Sequence, residues 1–224
     1  MPADLDGRSA LTGGVRSLDC GSIGRVSEPG RWNHNTHYHP LILAEIPAGC
    51  DRALDVGCGE GMLARKLAGR VPRVVGIDQD AASIELAGNR SPDQQIEFIC
   101  GDFLAHPFPP ASFGMITCVA ALHHMDPSAA LARMRELLVP GGTLVINGVA
   151  QNDVRDLPWE LPAALANLGY RARYGYWKHP SPVVWPPPHT YRQIRSLAAT
   201  VLPGVRYRRH LLWRYSLVWT RPAT

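Results

Sequence analysis

The chain has 224 residues, of which 46% are hydrophobic and 19% charged, and its net charge is +4. This composition supplies a buried core for one domain and excludes a largely disordered chain. No apolar run reaches the roughly 20 residues that cross a bilayer, and the N-terminal MPADLDGRSALTGG lacks the pattern of a secretory signal. We therefore expect a cytoplasmic protein with no membrane partner.

The charge is unevenly distributed along the chain. Every Asp and Glu lies at or before Glu160, whereas the segment 161–224 contains ten Lys and Arg. Such a basic segment is typical of proteins that steer an anionic partner, but it also fits arginines on exposed strand faces. The five cysteines form no CxxC pair, which predicts reduced thiols and no cysteine metal site.

The first forty residues are predicted to form an N-terminal leader and lid. Residues 1–30 are rich in Gly and Ser and show no periodicity, and the polar aromatic cluster WNHNTHYH follows at 32–39. Its histidines, His34, His37 and His39, raise a metal site as one interpretation, but no acidic or cysteine ligand stands nearby. We favour a lid over a ligand, with packing as the alternative, and predict no metal.

From residue 51 onward, apolar runs alternate with segments of helical periodicity. Strands are predicted at 52–57, 73–78, 96–102, 113–121 and 142–149, and helices at 41–47, 61–70, 81–89 and 127–138. Alternation of this kind predicts a parallel sheet covered by helices on both faces.

A Pro/Trp-rich insertion at about 150–189 then interrupts the alternation. We predict one helix within it, a further helix after it and two nearly contiguous strands that form an antiparallel edge hairpin, at 158–168, 190–202, 205–212 and 214–222. The predicted fold class is α/β: a Rossmann-like three-layer sandwich with a mostly parallel seven-stranded sheet and an antiparallel C-terminal hairpin. Residues 41–224 would be a single domain that carries the insertion.

The strongest motif follows the first predicted strand and reads Asp55-Val56-Gly57-Cys58-Gly59-Glu60-Gly61. Glycines let the backbone approach a ligand closely. The spacing G-x-G-x-G differs from the G-x-G-x-x-G of dinucleotide binders, and Asp55 places a carboxylate where a pyrophosphate would lie. The motif therefore disfavours a nicotinamide cofactor and favours a cofactor with a cationic group.

This motif resembles that of the class I S-adenosylmethionine-dependent methyltransferases, in particular the small-molecule type related to quinone-biosynthesis enzymes. The resemblance covers about 41–149 and 190–222. It implies S-adenosyl-L-methionine as the cofactor and S-adenosyl-L-homocysteine as its product. In this family the acidic glycine loop holds the amino-acid part of the cofactor, which implies that role here for Asp55, Gly57, Cys58, Gly59 and Gly61.

Two further strand ends fit the same family. Asp78 ends the second predicted strand, where an acidic residue accepts the ribose hydroxyls, and Gln79 follows it. Asp102 and Phe103 follow the third strand, where the resemblance implies an aspartate on the adenine amino group and a neighbour packed on the ring. With Val119 at the end of the fourth strand, these residues are expected to converge on one crevice.

His123 and His124 follow the fourth predicted strand, at the edge of the crevice that faces the transferred methyl group in related enzymes. In one interpretation a histidine there is a general base, since its pKa lies near neutrality. In the other, it hydrogen-bonds the backbone and shapes the pocket. The sequence does not distinguish the two histidines.

Aromatic and polar residues before the first strand and within the insertion are candidates for a lid and for substrate walls. In related enzymes the segment before the first strand closes over the methionine end of the cofactor, and a flat or hydrophobic acceptor needs aromatic contacts. Plain packing is the alternative role. The candidates are Trp32, Asn33, His37, Tyr38, Tyr176, Trp177 and Trp185.

The sequence thus predicts an enzyme that transfers a methyl group to a small-molecule acceptor at oxygen, nitrogen or carbon. We expect a monomer or a homodimer and no nucleic-acid partner. Three alternatives stay open: an RNA or protein methyltransferase that uses the basic C-terminal third, a non-catalytic cofactor-binding protein, and a nicotinamide-dependent reductase.

Overall fold

The computed structural model describes residues 30–91, 96–178 and 185–223. The predicted leader therefore lies outside the described residues, apart from Gly30. The strands of the described part are β1 (Arg52–Val56), β2 (Arg73–Asp78), β3 (Ile96–Cys100), β4 (Phe113–Val119), β5 (Leu138–Gly148), β6 (Arg206–His210) and β7 (Arg214–Thr220). Its α-helices are α1 (His39–Ala44), α2 (Met62–Ala68), α3 (Ala81–Asn89), α4 (Pro127–Leu137), α5 (Leu157–Tyr174) and α6 (Tyr191–Val201).

These strands form one seven-stranded sheet in the order β3-β2-β1-β4-β5-β7-β6. The pairs among β1 to β5 are parallel, whereas β7 is antiparallel to both β5 and β6. The predicted mostly parallel sheet with an antiparallel C-terminal hairpin is confirmed. Because the strand order reverses between β1 and β4, a crevice opens at the carboxyl ends of these two strands, where open α/β sheets bind their ligands.

Alternate residues of β1 supply two separate cores, one on each face of the sheet. Leu54 and Val56 are buried in the cluster that contains Leu131 of α4 and Ile194 of α6. Ala53 belongs to the opposite cluster, which α1 and α2 complete. This alternation follows from the two-residue period of a strand, and it gives the molecule its three layers.

The α5 helix is longer than the sequence predicts. The pattern indicates a helix over 158–168, whereas α5 continues through Gly169 and ends at Gly175, whose φ of +72° suits a helix terminus. The added turn has a tertiary cause, since the rings of Tyr170 and Tyr174 stack on Trp32 at centroid distances of 5.6 and 6.3 Å. A single-sequence pattern does not register such a distant contact.

The β6–β7 hairpin turns through two residues in the left-handed region. Leu212 and Trp213 have φ values of +58° and +55°, and Arg214 pairs with His210 directly after the turn. β7 then runs beside β5 with Tyr215 opposite Gly148. The hairpin thus carries Arg214 to the same edge of the sheet at which the parallel strands end.

The helices and the cysteines of the described part bear on membrane spans and on disulfides. No helix in the described ranges is long and apolar enough to cross a bilayer. Cys50, Cys58, Cys100 and Cys118 are free thiols, and Cys20 lies outside the described residues.

Candidate active site

A cavity of about 870 Å³ lies at the carboxyl ends of β1, β2 and β4. Its walls come from the glycine loop, the end of β2, the 3₁₀ turn Leu122–His124, the segment before α1, the insertion and the β6–β7 turn. Most of the residues predicted from the sequence line it: Asp55, Gly57, Cys58, Gly59, Asp78, Gln79, Phe103, Val119, His123, His124, Asn33, Tyr176, Trp177 and Trp185. The other five, Gly61, Asp102, Trp32, His37 and Tyr38, are not among its lining residues.

The glycines of the loop have different tasks. Gly57 has a φ of +69°, and a Cβ built on it would lie 2.2 Å from the Cβ of Ala121, so the chain can turn here only without a side chain. Gly61, at a φ of +76°, stands at the N-terminus of α2, and its missing Cβ leaves room for the ring of Phe98. Gly57 therefore shapes the cavity wall, whereas Gly61 allows α2 to approach the sheet.

Asp55 is a buried carboxyl group at the cavity wall. Its side chain accepts a hydrogen bond from Oγ1 of Thr117 at 2.8 Å, and the residue is 2% exposed. Burial, followed by the charge of Asp78, raises the pKa of Asp55 to about 7, although the Thr117 hydrogen bond opposes the shift. Removal from water disfavours the carboxylate, so a cationic ligand beside Asp55 would restore its ionised form.

The carboxylate of Asp78 joins the end of β2 to the glycine loop. Its Oδ2 accepts a hydrogen bond from the amide of Gly59 at 2.8 Å, and its Oδ1 accepts one from the amide of Asp80 at 3.0 Å. Within the described ranges, no side chain forms an ion pair with Asp55 or Asp78. Two carboxyl groups without a cation thus face one end of the cavity, which fits a ligand with positive charge.

Asp102 and Phe103 diverge after β3. Phe103 is 3% exposed and lines the cavity, which suits a residue packed on a flat ring. The exposed side chain of Asp102 instead accepts a hydrogen bond from the amide of Leu104 at 2.9 Å. Its role on an adenine amino group stays a prediction, because in this structure the carboxylate caps its own turn.

The two histidines after β4 have different neighbours. Burial, the neighbouring His124 and the charge of Arg214 lower the pKa of His123 to about 4. Burial also lowers the pKa of His124, but the charge of Asp78 opposes that shift. Both residues line the cavity, and their ring centroids are 4.1 Å apart. Nδ1 of His123 is buried and has no hydrogen-bond partner in the described part of the chain.

The segment before α1 presents one side to the cavity and the other to α5. Oδ1 of Asn33 accepts hydrogen bonds from the amides of Asn35 and Thr36, both at 2.9 Å, which fixes a tight turn at the cavity wall. Trp32 packs behind that turn against α5. Tyr38 is buried and donates a hydrogen bond to the carbonyl of Leu211.

Two contacts join this segment to the other walls. The amide of Trp177 donates to the carbonyl of Trp32 at 2.8 Å, which connects the segment to the insertion. The guanidinium of Arg31 pairs with Glu60 of the glycine loop at 2.8 Å and lies over the ring of Trp177. The segment, the insertion and the loop therefore form one continuous wall.

The histidines of the segment contact separate partners. Nε2 of His34 lies 2.8 Å from Oδ1 of Asn167, whereas Nδ1 of His37 accepts from Nε1 of Trp32 at 3.3 Å. His39 is buried beside a lysine. Across the described residues, no group of three His, Cys, Asp or Glu side chains is placed to hold a metal ion. Their geometry favours packing and a cavity wall.

Sequence reasoning missed two groups at the site. Glu60 stands inside the recognised motif, but only the fold shows that it is 1% exposed and pairs with both Arg31 and Arg90. Arg214 lines the cavity from β7 and is bound by Asn35, 179 positions earlier. Glu60 could have been found from its place in the glycine motif. Nothing in the sequence pattern points to Arg214.

Comparison with known proteins identifies the family. The family model described as a methyltransferase domain matches residues 54–146. An uncharacterized methyltransferase of Mycobacterium bovis is 38% identical over 193 residues, which cover 85% of this chain and 98% of that protein. A 2-phytyl-1,4-naphtoquinone methyltransferase of Thermosynechococcus vestitus is 40% identical over 161 residues, which cover 65% of this chain and 70% of that protein.

A solved structure has the same fold. Phosphoethanolamine N-methyltransferase 2 of Haemonchus contortus in complex with S-adenosyl-L-methionine superposes with a TM-score of 0.60 at 17% identity, over 87% of this chain and 53% of that chain. The acidic end of the cavity, its buried carboxyl group and the ring of Phe103 suit the same cofactor. The chain therefore belongs to the class I S-adenosylmethionine-dependent methyltransferases and is an enzyme that uses this cofactor.

Proposed function

We propose that this enzyme methylates a small-molecule acceptor that binds in the β5–β7 half of the cavity. The observation that carries the proposal is the enclosure of the cavity by the insertion and the segment before α1, where the amide of Trp177 donates to the carbonyl of Trp32. The cavity, at about 870 Å³, has the size of a small-molecule site, for which roughly 300–1,000 Å³ is usual. In this proposal residues 32–39 and the insertion are the lid of a single domain over 41–224.

The acidic half of the cavity is proposed to hold the cofactor, through Asp55, Asp78, Gln79, Phe103, Val119 and the loop residues Gly57, Cys58 and Gly59. When bound, S-adenosylmethionine supplies a methyl group on a cationic sulfonium for an in-line displacement. The residues of the chain align the two reactants, which contributes roughly 7–11 kcal/mol in well-oriented systems. The wall excludes water from a reaction that disperses positive charge.

His123 is proposed to position the acceptor. Because its pKa is lowered to about 4, its imidazole is neutral near pH 7, and as a side chain of the cavity lining it can accept a hydrogen bond from an acceptor hydroxyl or amine. His124, beside Asp78, is placed on the cofactor side in this proposal. A general-base role belongs to His123 only if loss of its imidazole costs far more than loss of one hydrogen bond.

The walls favour an acceptor with a flat or apolar part. Tyr176, Trp177, Trp185 and Trp213 line the cavity, and indole and phenol rings stack on planar ligands. The naphtoquinone methyltransferase among the relatives acts, by its name, on a compound of that shape. Transfer to oxygen, nitrogen or carbon is compatible with these walls.

A macromolecular acceptor is the second candidate, and the basic C-terminal third was its support. Two of those arginines are paired with carboxylates, Arg206 with Glu45 and Arg209 with Asp156, and Arg221 donates to the carbonyl of Leu138. Groups used in this way leave less positive charge for phosphates. We therefore propose a small-molecule acceptor rather than a macromolecular one. The enzyme is proposed to be cytoplasmic and a monomer or a homodimer.

The test uses methyl-labelled S-adenosylmethionine and a size-fractionated extract of the host cells. Label in the small-molecule fraction is the expected result, and mass spectrometry of that fraction identifies the product. Label in the RNA or protein fraction would overturn the proposed acceptor and leave the cofactor assignment intact. A D55A variant, which should not bind S-adenosylhomocysteine, controls for label transferred by other proteins in the extract.

A further inference from the structure

Arg214 stands at the end of the cavity that the cofactor residues do not occupy. It directly precedes Tyr215, which pairs with Gly148 at the carboxyl end of β5. In the strand order, β4 and β5 separate β1 from β7, which corresponds to about 14 Å at a strand spacing of about 4.8 Å. The side chain is partly buried, and it lines the cavity. It therefore faces the proposed acceptor half rather than the acidic half.

Among the described residues, the guanidinium of Arg214 is held by neutral oxygen atoms. Nε and Nη2 donate to Oδ1 of Asn35 at 3.1 and 2.7 Å, and Nη1 donates to the carbonyls of Trp213 and Leu212 at 3.1 and 3.4 Å. In the described ranges, no ion pair joins it to a carboxylate. A guanidinium has five N–H donors, so these four contacts leave at least one donor for a ligand.

A second arginine of the same hairpin provides the contrast. Arg209 forms an ion pair with Asp156 at 2.9 Å and also donates to Asn152. Buried cations are ordinarily paired in this way, because an isolated charge loses its hydration without compensation. Arg214 is held by four hydrogen bonds, but no carboxylate of the described residues pairs with it.

Carboxyl groups of β1 and β2 and a guanidinium of β7 line the cavity. Asp55, Asp78 and Asp80 line the cofactor end, and Arg214 and Lys178 are the Lys and Arg side chains among the cavity-lining residues. Two histidines flank Arg214, and burial lowers the pKa of both, so neither adds charge near pH 7. The acceptor end therefore combines aromatic walls with positive charge.

We propose that Arg214 binds a carboxylate of the methyl acceptor, which makes this enzyme selective for flat, apolar acceptors that carry one negative charge. The proposal rests on the proposed small-molecule function. One guanidinium matches one carboxylate in charge, and its remaining N–H donor can give that carboxylate a charge-assisted hydrogen bond. The bound carboxylate orients the acceptor and is retained in the product, so the methylated atom is a different one.

The test measures binding by calorimetry to the full chain saturated with S-adenosylhomocysteine. The probes are 2-naphthoate, 2-naphthamide and 2-naphthyl phosphate, which share one ring system and differ in charge. We expect 2-naphthoate to bind about 10- to 100-fold more tightly than 2-naphthamide, the range for a hydrogen bond to a charged group. Equal affinities, or no binding of either probe, would overturn the proposal, and this comparison needs no variant.

Variants then assign the preference to Arg214. R214Q is expected to abolish it, R214K to retain part of it, and R208Q to leave it unchanged, because Arg208 is an exposed cation of the same hairpin. A loss of S-adenosylhomocysteine affinity in R214Q would overturn the proposal, since Arg214 would then hold the cofactor's own carboxylate. Tighter binding of 2-naphthyl phosphate than of 2-naphthoate would overturn the carboxylate and indicate that the acceptor carries a phosphate.

The host-extract experiment separates this proposal from the proposed function. If label enters the small-molecule fraction, the product is expected to bind to an anion exchanger at neutral pH. A labelled product that passes through the exchanger would overturn the carboxylate and leave the small-molecule function standing. Label in RNA or protein would overturn the function itself.

Discussion

Nη1 of Arg31 lies 2.8 Å from Oε1 of Glu60, so one ion pair connects the segment before α1 to the glycine loop. The carboxylate of Glu60 is 1% exposed and also receives Arg90 from the end of α3, whereas the two arginine side chains are 25% and 33% exposed. A single buried acid therefore fixes the position of two peripheral elements relative to the cofactor loop.

The E60Q substitution is expected to destabilise the protein and to weaken cofactor binding. It removes the charge that compensates two arginines, which costs about 1–3 kcal/mol here because both arginines can still be hydrated. Chemical denaturation measures the free energy of unfolding, and calorimetry measures the S-adenosylhomocysteine affinity. D51N is the matched control, since it breaks the exposed Asp51–Arg73 pair and should change stability by at most about 0.5 kcal/mol. Equal effects of the two variants would contradict the connecting role of Glu60.

The G57A substitution is expected to abolish cofactor binding. The new Cβ would lie 2.2 Å from the Cβ of Ala121, so either the loop or the 3₁₀ turn with His123 must move. G49A is the control, because Gly49 also has a positive φ, +73°, but has no atom within 4 Å of an added Cβ. The left-handed strain of the new alanine should lower the free energy of unfolding by roughly 1–2 kcal/mol. The variant should retain its affinity for S-adenosylhomocysteine. An unchanged S-adenosylhomocysteine affinity in G57A would show that the loop can accommodate a side chain at position 57 without losing the cofactor site.

The fold and the convergence of the glycine loop and Asp78 on one cavity were predictable because their signals are local. RALDV and the glycines that follow it occupy ten consecutive positions, and a buried parallel strand followed by a glycine turn is specified by nearest neighbours in the chain. The hairpin was predictable for the same reason. The order of the strands then brings Asp55 and Asp78 together without further information.

The walls formed by the segment before α1, the insertion and the hairpin were not predictable, because their contacts join distant positions. Arg214 meets Asn35, Trp177 meets Trp32, and Tyr38 meets Leu211. Each pair depends on how the insertion and the hairpin pack, which no periodicity encodes. The predicted lid residues accordingly divide, with Asn33 on the cavity and Trp32 behind it.

The affinity for S-adenosylmethionine is expected to increase as the pH rises from 5.5 to 7.5. The pKa of Asp55 is raised to about 7, so its carboxyl group is protonated at the lower pH and becomes ionised as the pH passes that value. A cationic ligand binds the ionised form more tightly. Each pH unit below 7 should therefore weaken binding by up to about tenfold, with proton release on binding. Calorimetry in two buffers of different ionisation enthalpy measures both quantities.

The histidines that line the cavity are distinguished from Asp55 by a variant. Burial lowers the pKa of the cavity histidines His34, His39, His123 and His124 below the usual value. A D55N variant should bind weakly at every pH and show no slope. A wild-type affinity that is constant from pH 5.5 to 7.5 would contradict the ionisation of Asp55 on binding.

H123N is expected to lower kcat for the acceptor identified in the host extract by about tenfold, with the KM for S-adenosylmethionine unchanged. The reason is that the neutral ring of a cavity-lining residue offers one hydrogen bond to the acceptor, and one such bond is worth about 0.5–1.5 kcal/mol. H124N is the matched variant, and it should raise the KM for S-adenosylmethionine instead, because its ring lies near Asp78.

The size of the H123N effect separates the two roles of this histidine. A general base contributes about 10²–10⁴-fold to the rate. A loss of kcat in that range would show that His123 transfers a proton rather than positions the acceptor. The pH profile gives an independent reading. Since the pKa of His123 is about 4, the wild-type kcat should show no inflection from this group between pH 6 and 8, and activity that depends on its neutral form should fall only as the pH approaches 4. An inflection near 6.5 that H123N removes would contradict the buried, neutral state of the ring.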